Sequence, residues 1–162
     1  MTGAPSGGPD GESVGTAFRP ARPDDVEAVV PLIYSSGPAA FDYVFGRGMA
    51  EPFLRHAFRS PAGEFSYRSH DVALRADQVV GTGAIFDGRQ TLRFTLAAAR
   101  QILGFYGPLR GLGVISRGLR IETVIRPPHR REFYLCHLGV APSLRGSGVG
   151  TGLIGHLLAR AS

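Results

Sequence analysis

A glycine-rich turn between two apolar runs constrains the fold of this chain more than any other feature. Residues 133–140 form a mostly apolar run, residues 145–151 read Arg-Gly-Ser-Gly-Val-Gly-Thr, and residues 153–161 repeat apolar side chains at helical spacing. The pattern predicts a strand, a loop and a helix. The first amides of a helix have no partners within it, and the helix dipole adds partial positive charge there, to which Arg145 adds a full charge. The loop therefore predicts an anion site, with phosphate as its natural ligand.

Two common phosphate-binding loops do not fit the spacing of these glycines. A Walker A loop requires a lysine, and the chain contains none. The dinucleotide-binding fingerprint requires a third glycine where this chain has Thr151 or Leu153, and it belongs early in a nucleotide-binding unit. The loop lies instead near residue 162, the last of the sequence.

With its flanks, the loop closely resembles motif A of the GNAT superfamily of N-acetyltransferases. That family's loop pattern is Gln/Arg-x-x-Gly-x-Gly/Ala, and Arg145, Gly148 and Gly150 occupy its three specified positions. The preceding run, Leu138-Gly139-Val140-Ala141-Pro142, matches the apolar-x-Val-x-Pro end of the family's strand. The alternative is a glycine-rich turn that serves packing alone.

The resemblance implies an α/β (α+β) acyl-CoA N-acyltransferase fold, in which helices flank a central mixed, mostly antiparallel sheet. It implies acetyl-CoA as co-substrate. The end of the strand would pair with the pantetheine arm, and the loop amides would hold the pyrophosphate. The predicted cofactor-binding residues are Leu138, Gly139, Val140, Arg145, Gly146, Ser147, Gly148, Val149, Gly150 and Thr151.

The implied chemistry is direct transfer of an acetyl group to an amine acceptor in a ternary complex. It needs a general base, a donor that polarises the thioester carbonyl and a proton source for the leaving thiolate. Glu132 and His137 are the predicted bases, on the strand that leads to the loop. They are five residues apart, so strict alternation points them to opposite faces unless a bulge intervenes. A solvated strand start for Glu132 and a hydrogen-bonded core position for His137 are the structural alternatives.

Three further groups on this strand have possible roles. A backbone N–H near Val140 is the expected donor to the thioester carbonyl. Cys136 is the only cysteine, so the chain has no disulfide of its own, and we expect a small buried hydrophobe rather than a nucleophile. Tyr134 shares a face with Cys136 and either donates a proton or packs. The remaining histidines show no paired spacing with carboxylates, so no metal site is expected; they are His56, His70, His129 and His156.

The rest of the chain reads as one domain. We expect a disordered tail over residues 1–15, rich in Gly, Pro and Ser, and a GNAT-like domain over residues 16–162. Periodicity and turn residues predict a strand at 16–19 and a helix after Pro23, followed by a helical region at 39–58 that glycines interrupt. A hairpin of two strands, 71–76 and 79–85, is predicted around Asp77-Gln78. Two further helices are predicted at 91–105 and 109–125. The last two helices would shape an acceptor pocket or a subunit contact, or serve packing. The aromatic residues at 41, 43 and 45 either line the acceptor site or belong to the core.

Charge and hydropathy limit the predicted partners. A small-molecule or protein amine is the expected acceptor. The net charge is +5, but all eighteen basic residues are arginine, which indicates codon bias. The basic segment at 126–131 lacks the interleaved aromatics of nucleic-acid sites, so we expect no nucleic acid. No apolar run approaches the ~20 residues of a membrane span, and no apolar signal core is present, so a cytoplasmic location is predicted.

The resemblance also predicts a shortened C-terminal part. Similar proteins continue beyond the position of Ser162 with a strand, a helix that often carries a catalytic tyrosine, and a closing hairpin. We therefore expect an unpaired sheet edge and an exposed apolar helix face. The polypeptide is then either a fragment or completed by a partner, which includes a second copy of the chain. A non-catalytic acyl-CoA-binding module is the alternative function.

Overall fold

One antiparallel sheet with helices on both faces organises the protein in this computed structural model, which describes residues 15–122 and 132–161. The strands are β1 Ala17–Pro20, β2 His70–Arg75, β3 Gln78–Asp87 and β4 Phe133–Val140, and they lie side by side in that order. The helices are α1 Val26–Ser35, α2 Pro38–Phe45, α3 Ala50–Arg59, α4 Thr91–Tyr106, α5 Pro108–Glu122 and α6 Val149–Ala161. The predicted fold class is confirmed, and every strand pair in the described residues is antiparallel.

The predicted hairpin forms with its turn one residue earlier than expected. Ala76 and Asp77 are the central residues, with φ of 46° and 61°, and Gln78 opens β3. Positive φ at both central positions is the type I′ pattern, whose twist matches that of the flanking strands. The turn predicted at Asp77-Gln78 is therefore wrong by one residue, because aspartate tolerates the left-handed region at either central position of such a turn.

One face of the sheet is covered by α1 and α3. Both helices place apolar side chains at helical spacing, among them the fully buried Val29, Ile33 and Phe53. Phe45, at the end of α2, stacks on Phe53 with ring centroids 4.4 Å apart. Burying a side chain of this size stabilises the fold by about 1.5–3 kcal/mol, so these helices form the main core.

The opposite face is covered by α6. A Cβ atom built on Gly83 of β3 would lie 3.0 Å from Leu157 and 3.6 Å from Leu153, which shows how closely this helix approaches the sheet. The buried carboxylate of Asp71 on β2 accepts a hydrogen bond of 2.8 Å from His156 Nε2 and another from Arg160. These contacts fix the direction in which α6, and the loop before it, meets the end of β4.

The insertion between β3 and β4 is the helical hairpin α4–α5, as predicted. It docks on α2, because Tyr106 donates its hydroxyl to the Phe45 carbonyl at 2.9 Å and Arg117 Nε donates to the Val44 carbonyl at 2.9 Å. Its outer surface exposes more than half of the side chains of Leu92, Leu96, Leu109, Leu112 and Leu119. A role for this hairpin in acceptor binding or in a subunit contact stays a prediction.

Three earlier predictions fall on residues that the structure does not describe. They are the disordered tail, apart from Gly15, the basic segment at 126–131, and the last three residues of the helix predicted at 109–125. Within the described ranges, no helix is both long and apolar enough to cross a membrane.

Candidate active site

The glycine loop lies where β4 ends and α6 begins. A single 3₁₀ turn, Pro142–Leu144, leads from the strand into the loop. Gly146 and Gly148 then adopt φ of 78° and 84°, in the left-handed region that other residues enter at a cost of roughly 1–2 kcal/mol. The first helical residue is Val149, so residues 149–151 of the predicted loop are instead the first turn of α6. Val149, Leu153 and Leu157 are buried at helical spacing, so the apolar face extends one turn further than predicted, into a glycine-rich segment that is a poor helix former by itself.

The backbone amides at this junction are available to a ligand. Among the described residues, no acceptor is found for the N–H groups of Gly148, Gly150 or Thr151. A Cβ atom built on Gly146 or Gly148 would meet nothing within 4 Å, and one on Gly150 would meet only Val140 Cγ2 at 3.5 Å. Open amides at the positive end of a helix dipole form an anion-binding concavity.

The guanidinium of Arg145 lies against the strand end. Its Nε donates to the Val140 carbonyl at 3.3 Å, while the side chain stays exposed. Since the arginine is fixed at its base and open at its tip, it adds positive charge beside the loop amides. The predicted cofactor-binding residues of strand and loop are therefore contiguous, and their assignment to coenzyme A is taken up below as a proposal.

A β-bulge interrupts β4 just before its last three residues. Cys136 pairs with Ala84 and Gly139 pairs with Thr82, so Gly83 alone lies opposite both His137 and Leu138. His137 has φ of 54°, which turns its side chain out of the regular alternation. Strict alternation would place Glu132 and His137 on opposite faces of the strand unless a bulge intervened. A bulge does occur, at His137.

Beyond the bulge, β4 offers a free edge. In the described part of the chain, β4 has a neighbouring strand on one side only. Gly139 is held tightly from one face, because a Cβ atom there would collide with the backbone of Leu32 in α1 and lie 2.8 Å from the Leu32 carbonyl carbon. The predicted unpaired edge is therefore present, and its backbone groups can accept an extended ligand as another strand would.

Two histidines form a hydrogen-bonded pair beside the bulge. His70 Nε2 lies 3.2 Å from His137 Nδ1, and His70 Nδ1 lies 2.9 Å from the Ser66 carbonyl. On its other side, His137 Nε2 lies 3.5 Å from Glu64 Oε1, in the turn between α3 and β2. The ring of His137 also stacks on Phe65 with centroids 4.9 Å apart. The side chain of His70 is fully buried, His137 is 9% exposed and Glu64 is 37% exposed.

Burial and charge move the two pKa values in opposite directions. Burial, reinforced by the neighbouring His137, holds the pKa of His70 far below its ordinary value of 6.5. Burial also disfavours a charged His137, but the Cys136 sulfur and the Glu64 carboxylate outweigh it and raise the pKa of His137. Near neutral pH, the pair therefore consists of a neutral His70 and a His137 whose imidazolium is stabilised by Glu64.

These directions have opposite consequences for stability. The unfolded chain protonates His70 more readily than the folded chain does, so the free energy of unfolding falls as pH drops below about 6.5. For His137 the folded pKa is the higher one, so its stabilising effect is complete below about 6.5 and is lost as pH rises through the folded value. The pair favours maximum stability near pH 6.5.

Two other side chains of β4 have predicted roles, Cys136 and Tyr134. Cys136 Sγ lies 3.7 Å from His137 Nδ1 and is half-buried, whereas the sequence predicted a buried hydrophobe. Tyr134 packs on Phe86, with centroids 5.7 Å apart, and burial together with Cys136 and Glu64 raises its pKa. Tyr134 is therefore protonated at neutral pH and able to donate.

Glu132 lies away from this cluster. It is exposed, it precedes the first residue of β4, and its carbonyl accepts a hydrogen bond of 3.2 Å from the Gly88 amide. Five residues of strand separate it from His137, which corresponds to about 16 Å. The structure therefore places His137, rather than Glu132, beside His70 and Glu64.

The aromatic residues predicted to line the acceptor site divide between two environments. Phe41 approaches His137, with ring centroids 6.3 Å apart, whereas Phe45 is buried in the core and Tyr43 is 46% exposed. Of the three, only Phe41 touches the histidine cluster. His70 and Glu64 were missed, because they lie 67 and 73 residues before His137 and no local spacing connects them.

Comparisons with known proteins agree with this geometry. The family model described as "Acetyltransferase (GNAT) family" matches residues 33–162. An N-acetyltransferase from Staphylococcus aureus Mu50 is 17% identical, with a TM-score of 0.61 over 89% of this chain and 75% of that one. A second structure, described as an acetyltransferase, is 16% identical, with a TM-score of 0.67 over 89% and 73%. An apo agmatine N-acetyltransferase variant is 18% identical, with a TM-score of 0.51 over 90% and 69%. No protein with a curated function matches the sequence.

Proposed function

Because the chain belongs to the Acetyltransferase (GNAT) family, we propose that it transfers the acetyl group of acetyl-CoA to the nitrogen of an amine acceptor. The junction of β4 and α6 is the observation that carries this proposal. There a free strand edge, a bulge and amides without acceptors in the described chain follow one another within fifteen residues, 137–151. A ligand with a pyrophosphate and an extended, amide-bearing arm is complementary to this arrangement, because the pyrophosphate fits the amides and the arm fits the strand edge.

We assign the two parts of coenzyme A to two parts of the junction. The amides of Gly148, Gly150 and Thr151 and the guanidinium of Arg145 would bind the pyrophosphate, because these amides have no acceptor in the described chain and lie at the positive end of the α6 dipole. The backbone of Leu138, Gly139 and Val140 would pair with the pantetheine arm along the edge of β4. Tight packing of Gly139 on Leu32 supports this, since it holds that edge rigid.

His137 is the general base in this proposal. It lies at the bulge, next to the strand residues assigned to the thioester end of the coenzyme, and Glu64 is within reach of its Nε2. Glu132 is about 16 Å away along the strand, so the chemistry at the bulge does not involve it directly. A base whose pKa is raised gains activity as pH rises, so we expect the rate to increase above neutral pH.

The reaction proceeds in a ternary complex without an acyl-enzyme. The amine nitrogen forms a bond to the thioester carbonyl carbon, the carbon–sulfur bond breaks, and His137 takes the proton that the nitrogen loses. A backbone N–H near Val140 would polarise the carbonyl. Tyr134, whose phenol is protonated at neutral pH, would return a proton to the departing thiolate.

The acceptor is proposed to be a small-molecule amine or a protein amine. A similar solved structure is described as an agmatine N-acetyltransferase, so agmatine is a reasonable member of a test panel. Phe41, beside His137, would contact the apolar part of an acceptor. The cytoplasmic location stays a prediction.

Calorimetric titration of the purified 162-residue chain tests the coenzyme assignment. We expect micromolar binding of acetyl-CoA and no binding of NAD or ATP. The proposal would be overturned if circular dichroism shows that the chain is folded and calorimetry shows that it does not bind acetyl-CoA. Release of free CoA on addition of the amine panel then separates an enzyme from a non-catalytic acyl-CoA-binding module, which would protect the thioester.

A further inference from the structure

A row of four groups connects the core of the protein to the proposed base. The Ser66 carbonyl, both nitrogens of His70, both nitrogens of His137 and the Glu64 carboxylate follow one another at 2.9, 3.2 and 3.5 Å. The inner end is fully buried at His70 and the outer end is partly exposed at Glu64. In such a row, the hydrogen-bond partner of one ring nitrogen determines whether that nitrogen carries a hydrogen.

The inner end determines the tautomer of His70. A carbonyl oxygen only accepts, so His70 Nδ1, at 2.9 Å from the Ser66 oxygen, must carry the hydrogen. Its burial and its charged neighbour keep the ring neutral, and a neutral imidazole holds one hydrogen. His70 Nε2 is therefore an acceptor.

The tautomer of His137 follows from that of His70. An acceptor 3.2 Å away requires a hydrogen on His137 Nδ1, in both its neutral and its charged form. The nitrogen that gains and loses a proton is then Nε2, which is directed towards Glu64. Cys136 Sγ also lies near Nδ1, at 3.7 Å, and its contribution to the raised pKa of His137 likewise requires the hydrogen on Nδ1.

We propose that His70 is a positioning residue: it fixes the tautomer of His137 and so makes Nε2 of His137 the atom that exchanges protons with the acceptor. The catalytic consequence rests on the proposed function, because it takes His137 as the general base. The tautomers themselves do not depend on it. Glu64, on the outer side, accepts from the protonated Nε2 and attracts the ammonium form of the acceptor. Among the described residues, the titratable groups found against His137 are His70, Glu64 and Cys136.

Nitrogen-15 NMR of the full chain tests the tautomers without any substrate. The sequence contains five histidines, whose ring signals are assigned by single substitutions. At pH 7.5 we expect His70 with a protonated Nδ1 and a bare Nε2. As the pH is raised through the pKa of His137, about 10, we expect His137 to lose the proton on Nε2 and keep the one on Nδ1. The same pattern in Cys136→Ala would show that the thiol does not set it. A proton on Nε2 of His70, or a bare Nδ1 on His137, would overturn the inference.

Kinetics of two His70 variants test the catalytic consequence. His70→Phe keeps a flat ring of similar size but offers no acceptor, so kcat should fall at least tenfold with the KM for acetyl-CoA within about twofold. The rising limb of the pH profile should also move to lower pH by roughly one unit, because the imidazolium of His137 loses its hydrogen-bond acceptor. His70→Gln restores an acceptor oxygen near the position of Nε2. The pH at which the rate rises should then return towards that of the parent chain.

A structural role alone predicts a different pattern. If His70 only fills the core, both variants lower the melting temperature while kcat and the pH profile stay unchanged, and the inference is wrong. If the parent chain transfers no acetyl group, the proposed function fails, whereas the NMR pattern still decides the tautomers.

Discussion

Replacing Gly150 by alanine should weaken coenzyme binding without harming the fold. Gly150 is the second residue of α6, its φ is not in the left-handed region, and a Cβ atom there lies 3.5 Å from Val140 Cγ2, an ordinary van der Waals contact. The free protein therefore accommodates the methyl group without rearrangement. Alanine is also the better helix former, by up to about 1 kcal/mol, so the melting temperature should stay equal or rise.

The loss of affinity follows from the amide that the methyl group would shield. A hydrogen bond to a charged group contributes about 1.5–3 kcal/mol, and every 1.4 kcal/mol is a factor of ten in Kd. If a phosphate oxygen approaches the open face of this first turn, Gly150→Ala should raise the Kd for acetyl-CoA by roughly ten- to a hundredfold.

Gly155→Ala is the matched control. Gly155 is also in α6, one and a half turns further along, and a Cβ atom there meets nothing within 4 Å. Calorimetry should give it the acetyl-CoA affinity of the parent chain, and thermal melting should show both variants folded. Equal affinities in the two variants would refute the assignment of the loop amides to the pyrophosphate.

Three shorter predictions follow from other contacts. His70→Phe removes a buried ionisable ring, so chemical denaturation should show a smaller loss of stability between pH 6.5 and 4.5; an unchanged slope would mean that another group causes the acid dependence. Gly139→Ala forces a methyl group against the backbone of Leu32 and should cost about 1–3 kcal/mol of unfolding free energy, whereas unaltered stability would show that α1 can move away. Glu132→Gln should leave kcat and the pH profile unchanged, and a large loss of kcat would restore Glu132 as the base.

Local signals in the sequence were enough to predict most of the fold. The alternation of apolar and polar residues and the turn residues gave all four strands, and the paired glycines at 46 and 48 correctly divided α2 from α3. Errors were confined to boundaries, such as the start of α6 at Val149 and the turn at Ala76. The turn depends on the backbone conformation of its two central residues, and the start of α6 lies among glycines that are poor helix formers.

The candidate site was only half predictable. The glycine loop is contiguous in sequence, so its spacing alone indicated an anion site next to the end of β4. The histidine pair is not contiguous, because the sheet register brings His70 of β2 to His137, and the turn before β2 brings Glu64. The bulge at His137 could not be predicted from β4 alone, because it depends on pairing with another strand. Gly83 on β3 lies opposite two residues of β4 there.

Formation of an acetylated amine from acetyl-CoA is the measurement that tests the central claim most directly. The purified chain is incubated with acetyl-CoA and a panel of amines that includes agmatine, and the product is detected by mass spectrometry alongside release of free CoA. We predict product with at least one amine, a rate that rises above neutral pH, and a rate at least a hundredfold lower in His137→Gln. Tight binding of acetyl-CoA with no product from any amine, or an unchanged rate in His137→Gln, would contradict the account.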